Sequence, residues 1–119
     1  MIHLSLPEPP SANRYWKVWR GRAVKSKEAR AYAELVKYLA IQQRVKAPIH
    51  GDVEVTVKWY RQRRAGDLDN RIKILLDAMK GIAFVDDKQI RRIHAERFDK
   101  VEPVGTMEVC VVAWAEEAA

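Results

Sequence analysis

The residues best suited to chemistry lie in one stretch, Arg61-Gln62-Arg63-Arg64-Ala65-Gly66-Asp67-Leu68-Asp69-Asn70-Arg71-Ile72-Lys73. Asp67 and Asp69 stand at D-x-D spacing directly behind Arg61, Arg63 and Arg64. A single carboxylate at a helix start is explained by capping of free backbone N–H groups. One aspartate suffices for that, and here there are two. A second acidic pair follows in Phe84-Val85-Asp86-Asp87-Lys88. Clustered aspartates repel the polyanion that neighbouring arginines attract. Divalent cations remove the conflict, because they bind carboxylate oxygens and bridge to phosphate.

The spacing allows the two acidic pairs to meet. A helix from about Asp69 to Lys80 is roughly 18 Å long, and the six steps from Gly81 to Asp87 span about 20 Å when nearly extended. The chain can therefore return beside the helix, and Asp87 is expected at its N-terminal end. Lys73 lies one helical turn beyond Asp69 and one before Asp77. It fits two roles: an i,i+4 ion pair on an exposed helix, or a cation stabilising charge on a bound phosphate. Asp77 is assigned to helix pairing.

Other chemistries find little support. His3, His50 and His94 are scattered without ligand spacing. Cys110 is the only cysteine, which excludes an internal disulfide and a multi-thiolate zinc site. Amid Val109, Val111 and Val112 it reads as an inert core thiol. Neither a G-x-x-x-x-G-K-[ST] loop nor a G-x-S-x-G elbow occurs.

The 119 residues carry 22 basic and 16 acidic side chains, a formal net charge of +6. The excess is confined to one half: residues 1–50 hold 10 Lys/Arg against 3 Asp/Glu. Seven basic residues fall between Arg14 and Arg30, interleaved with Tyr15, Trp16 and Trp19. Basic side chains attract phosphates, and flat aromatics offer faces on which exposed bases stack. A hydrophobic fraction of 48% fits a globular chain rather than a disordered one. No apolar run approaches a bilayer span and no signal peptide is visible, so a soluble intracellular protein is expected.

The elements that must position these residues follow from periodicity. Ile2, Leu4 and Leu6 alternate as a short strand that Pro7, Pro9 and Pro10 stop. Ser11 to Lys25 shows no period and contains Gly21, so a long loop or loose hairpin is expected there. Ser26 caps a helix whose apolar stripe runs through Ala29, Tyr32, Ala33, Val36, Leu39 and Ala40 to about Val45. Val53, Val55, Val57 and Trp59 alternate strictly with polar residues, the clearest strand of the chain. Ile72, Leu75, Leu76 and Met79 mark a second helix with Gly81 as its C-cap. Further strands are expected at Gln89–Phe98 and Thr106–Trp114. The order implies one domain over residues 1–119, of α/β (α+β) class: a single mixed sheet of about four strands with two helices on it.

Three segments together resemble the RusA family of Holliday-junction resolvases: Pro9-Pro10-Ser11-Ala12-Asn13-Arg14-Tyr15, Arg64-Ala65-Gly66-Asp67-Leu68-Asp69-Asn70 with Lys73, and Phe84-Val85-Asp86-Asp87. The order and total length match over nearly the whole chain. The resemblance implies a small homodimeric endonuclease, often prophage-borne, that cuts four-way DNA junctions symmetrically in recombination and repair. It implies that Asp67, Asp69 and Asp87 bind Mg2+, with Mn2+ as a substitute, and that Lys73 is essential for cleavage. It makes Asn13, Arg14 and the basic loop DNA contacts. The DNA-contacting set is taken as Asn13, Arg14, Tyr15, Trp16, Arg20, Arg22, Lys25, Arg63 and Arg64. Such a protein would work in the cytoplasm of a bacterial or phage-infected cell. The alternatives are a non-catalytic module binding RNA or DNA through the same arm, and a flap or fork nuclease using the same site.

Overall fold

The computed structural model describes residues 1–11, 16–62 and 66–115, with Trp16 and Lys17 described by backbone alone. Its centre is β4 (Val53–Arg61), whose alternation places Val53, Val55, Val57 and Trp59 in the core. The other members of the main sheet are β1 (Ile2–Pro7), β5 (Ile90–Asp99) and β6 (Thr106–Ala113), in the order β1-β6-β4-β5. β6 is antiparallel to both β1 and β4, whereas β5 runs parallel to β4. Among the described residues β5 is thus an edge strand with one hydrogen-bonded neighbour.

Two helices cover one face. In α1 (Lys27–Gln42) the Ser26 hydroxyl accepts from the Ala29 N–H at 3.1 Å, and Ala29, Tyr32, Val36 and Ala40 face inward. In α2 (Leu68–Ala78) the buried positions are Ile72, Ile74, Leu75, Leu76 and Ala78. These side chains close one core with Leu4, Leu6, Met107, Val109, Val111 and Phe84. The α+β class and the two-helix, four-strand layout agree with the sequence pattern. No helix among the described residues is long and apolar enough to cross a membrane.

Local departures have local causes. The segment before α1 is a two-stranded ribbon of β2 (Trp16–Trp19) and β3 (Arg22–Lys25). Arg20 and Gly21 turn it with φ of 52° and 74°, the left-handed pair that two-residue hairpins require. α1 stops at Gln42 rather than near Val45, because Arg44 already adopts φ 66°. Met79, not Gly81, is the C-cap of α2. Cys110 is only half-buried: β6 turns Met107, Val109 and Val111 to the core and Cys110 to the open face.

The connection β4–α2–β5 matters most for function. Parallel neighbouring strands need a crossover, and here α2 supplies it. A crossover helix travels back against its strands. The loop entering α2 and the loop leaving it therefore lie at opposite ends of the sheet. Phe84 anchors the exit: it is fully buried, and its carbonyl accepts from the Gly81 N–H at 2.7 Å. Replacing Phe84 by alanine should cost about 3–5 kcal/mol, read as a lower urea midpoint with an unchanged slope.

Candidate active site

Asp67 occupies the N-cap position of α2 with extended backbone (φ −89°, ψ 142°), yet its side chain makes no capping hydrogen bond. Its carboxylate is exposed, with the Asn70 Nδ2 at 3.5 Å. Asp69 follows in the first turn, also exposed, where the helix dipole favours negative charge. Lys73 lies exposed one turn on. Asp67, Asp69 and Lys73 form no ion pair with any described residue. The Asp69–Lys73–Asp77 ladder, one of the two roles the spacing allows Lys73, does not form, and Asp77 instead pairs with Lys25 at 2.8 Å and Lys80 at 3.6 Å.

The turn carrying these aspartates is fixed by a network that the sequence reading did not single out. Trp59 is fully buried, with the Arg61 and Arg71 guanidiniums 5.9 and 5.4 Å from its ring centroid. Its Nε1 donates to Glu8 Oε1 at 3.2 Å, and the Gln62 N–H donates to the same oxygen at 3.3 Å. Arg71 donates to the Pro9 carbonyl, tying the N-terminal prolines to α2. Arg61, only 6% exposed, donates to Asp99 at 2.8 Å and to the Gly66 carbonyl at 3.2 Å. The one signal available was the placement of Arg61 on the inward parity of β4.

Asp87 lies elsewhere. It sits 3.6 Å from Lys80, beyond the C-terminal end of α2, in a single 3-10 turn (Asp87–Gln89) that precedes β5. Asp86 caps that turn and Gln89 closes the capping box. The Gln89 amide donates to the carbonyls of Ile49 and Gly51 at 2.8 and 2.6 Å, so the turn is held firmly. The Lys88 N–H, followed by Asp87 and Lys80, holds the Asp86 carboxyl below the usual carboxylate range. Partial desolvation pulls the Lys80 pKa down, but Asp87, Asp77 and Asp86 outweigh it and raise it.

The expectation that Asp87 returns to the N-terminal end of α2 is therefore not met within one chain. The segment after α2 does not extend back along the helix. It turns through Met79–Ala83 and enters β5 at the far end of the crossover. Among the described residues no three His, Cys, Asp or Glu side chains gather closely enough to hold a metal ion. Asp67 and Asp69 supply uncommitted hard oxygen donors suited to a divalent cation. Asp87 does not join them.

The arm is partly described. Asn13, Arg14, Tyr15, Arg63 and Arg64 lie outside the described residues, as does the Trp16 side chain. Arg20 stacks over exposed Trp19, 5.6 Å from its ring centroid, and Arg22 is exposed. Lys25 is committed to Asp77 and docks the ribbon against α2.

Most of the chain is similar to known proteins. The family described as Endodeoxyribonuclease RusA matches residues 7–111. A crossover junction endodeoxyribonuclease rusA of Enterobacteria phage 82 is 34% identical over 90 residues, 74% of this chain and 75% of its own length. Crossover junction endodeoxyribonucleases RusA of Escherichia coli strain K12 and Shigella sonnei strain Ss046 are each 34% identical over 89 residues, 73% of this chain and 74% of theirs.

Two substitutions separate the scaffold from the chemistry. Gly66 has φ +93°, and a Cβ there would lie 3.2 Å from Arg71 Nε and 3.5 Å from Trp59. Gly66→Ala should destabilise by about 1–2 kcal/mol and shift the tryptophan emission. Lys73→Ala removes no ion pair, so its urea midpoint should match the wild type to within about 0.5 kcal/mol of stability.

Proposed function

The chain belongs to the RusA family of endodeoxyribonucleases, and from that premise we propose that it resolves four-way DNA junctions by divalent-metal-assisted phosphodiester hydrolysis. The observation that carries the reading is the head of α2. Asp67, Asp69 and Lys73 are exposed there, and none is spent on an ion pair with a described residue. A surface helix selected for stability alone would pair Lys73 with Asp69 and Asp77. The family match also sets aside the non-catalytic binding module that the basic arm alone would fit.

In this reading Asp67 and Asp69 hold Mg2+, with Mn2+ as a substitute, while Asp87, the third carboxylate that the resemblance implies, stands apart from them within the chain. A bound divalent ion supplies Lewis-acid polarisation of the phosphate and acidification of the attacking water. The Lys73 ammonium, one turn away, faces the phosphate and balances the negative charge that grows as the P–O bond to the 3′ oxygen breaks. Arg20 and Arg22, with Arg14, Arg63 and Arg64, neutralise flanking phosphates, and Trp19 offers a face for an unstacked base at the branch point. Symmetric cutting calls for two equivalent sites, which a two-fold dimer provides. The setting is the cytoplasm of a bacterial or phage-infected cell.

Labelled four-way junction, fork, flap and linear duplex, incubated at fixed salt with Mg2+, test this directly. Paired cuts in the junction that EDTA abolishes are expected; equal cutting of flaps and forks would replace junction selectivity with a broader specificity. Asp67→Asn and Asp69→Asn should abolish cleavage while leaving junction binding intact or tighter, because charge repulsion falls. Lys73→Ala should lower the cleavage rate by about 10²–10³ without loss of affinity. Near-normal cutting by Lys73→Ala would return the lysine to the helix surface.

The arm generates a separate expectation. Arg20→Ala with Arg22→Ala should reduce the slope of log affinity against log salt by roughly two units, about one per lost phosphate contact. An unchanged slope, read by fluorescence anisotropy across a salt series, would make the ribbon tip plain solvated surface.

A further inference from the structure

An apolar groove of about 590 Å³ opens between Leu68 and Ile72 of α2 and Ile93 and Ala95 of β5, with Asp69 and Lys73 also lining it. Ile93 and Ala95 stand in register with Val55 and Val57, and the next residue on that face of β5 is Arg97, opposite Trp59. Asp99, opposite Arg61, ends the row. Phe98, between them in sequence, stacks on Tyr60 across the open face with ring centroids 5.0 Å apart, which confirms the parity. Alternate residues of a strand lie about 6.6 Å apart. Arg97 therefore follows Ala95 toward the end of the sheet where α2 begins. Lys73 from the helix and Arg97 from the strand approach the D-x-D turn from two different elements.

The side chain of Arg97 is held at one atom and open at two. Its Nε lies 3.3 Å from Asp99 Oδ1, an oxygen that already accepts from Arg61 Nε at 2.8 Å. Arg61 in turn donates to the Gly66 carbonyl, in the peptide immediately before Asp67. Asp99 thus ties Arg97 and the D-x-D turn to one frame. Arginines that serve stability frequently close both arms of the fork on a carboxylate. Here the two terminal nitrogens make no hydrogen bond with any described residue, and the side chain is 41% exposed. Two guanidiniums on one carboxylate also leave a positive charge over. We propose that Arg97 is a phosphate-binding residue of the site, presenting its terminal nitrogens to the non-bridging oxygens of a DNA phosphate at the D-x-D turn.

Phosphate is the anion that this geometry selects. A planar fork matches two non-bridging oxygens, where a lysine offers only a point charge. The terminal nitrogens of Arg97 and the carboxylates of Asp67 and Asp69 are not spent on one another. That division suits a phosphate bridged by a divalent cation: the cation takes the carboxylates, and the phosphate oxygens take the guanidinium. Arg97 also differs from Arg20 and Arg22 at the ribbon tip. It is carried by a strand of the main sheet and fixed at Nε by Asp99, which the nearly buried Arg61 holds in turn. Its direction is set before DNA arrives, so little order is lost on binding.

This inference rests on the junction-resolving reading for the identity of the anion, so the first arm of its test needs no cleavage. Affinity for a labelled four-way junction is measured in EDTA by fluorescence anisotropy across a salt series. Arg97→Gln should lower the slope of log affinity against log salt by about one unit. The control is Lys46→Gln, an exposed cation three residues before Ile49, whose N–H bonds the Ala83 carbonyl beyond the tail of α2. Its slope should match the wild type. Arg97→Lys should keep the slope, because the charge stays, yet lower the single-turnover cleavage rate in Mg2+ about tenfold, because the fork is gone. Both Arg97 variants should keep the wild-type urea midpoint, since only an exposed pair is lost. A slope unchanged by Arg97→Gln, or an equal drop in Lys46→Gln, would overturn the contact. Wild-type cleavage by Arg97→Lys would overturn the two-point grip. A wild type that cuts no branched DNA overturns the junction-resolving reading, and the slope still decides whether Arg97 meets phosphate.

Discussion

The indole of Trp59 is the point on which the rest of the site depends. It is the last apolar residue of the inward row of β4, with two guanidiniums within 6 Å of its ring centroid and Glu8 on its N–H. A buried arginine is costly unless its charge and its donors are satisfied. Here Arg61 finds Asp99 and the Gly66 carbonyl, and Arg71 finds the Pro9 carbonyl. Those bonds reach four separate parts of the chain: the N-terminal prolines, the end of β4, the turn before α2 and the end of β5. Removal of Asp99 would leave the buried Arg61 charge without its counter-ion. The D-x-D turn is therefore fixed by interactions that never touch its carboxylates, which leaves Asp67 and Asp69 without structural duty.

Legibility in the sequence tracked how local the determining interaction was. β4, α1 and β6 were readable because periodicity and burial coincide within each segment: strict alternation from Val53 to Trp59, and a helical stripe from Ala29 to Ala40. The β2–β3 ribbon was less readable, since its turn uses Arg20-Gly21 where hairpins usually show Asn-Gly or Asp-Gly. The acidic residues were identifiable by type, but their pairing was not. Lys73 has two aspartates at ideal helical spacing and pairs with neither, because Lys25 and Lys80 reach Asp77 instead. Lys25 comes from a ribbon forty to sixty residues away in no helical register, and spacing rules say nothing about it. The Trp59 network was similarly hidden: Glu8, Arg61 and Arg71 are unremarkable singly and meaningful only once the fold has brought them together.

The ribbon and the helix also share an electrostatic problem. A DNA-binding arm must present cations, yet it must be held in place by something. Lys25 and Asp77 settle the division of labour by anchoring the base of the ribbon, while Arg20 and Arg22 at its tip remain exposed. The anchoring pair is partly shielded from solvent, so salt screens it less than it screens the exposed tip. High ionic strength should then weaken any anion contact at the tip well before it releases the arm.

The separation of the acidic pairs is a consequence of topology rather than of any side chain. Reach alone permitted Asp87 to return along α2, since the linking segment is long enough when extended. What forbids it is the direction of β5. Had β5 run antiparallel to β4, the chain leaving α2 would have had to travel back to the head of the helix before starting the strand. Asp87 would then have passed Asp69 on the way. A parallel partner instead must begin where β4 begins, at the tail of the helix, and Ile90 pairs with Val53 there. Strand direction is a property of the whole sheet that no thirteen-residue motif records. The same choice leaves β5 as an open edge beside an apolar groove. Separation of the carboxylates and the open edge beside the groove thus arise from one constraint.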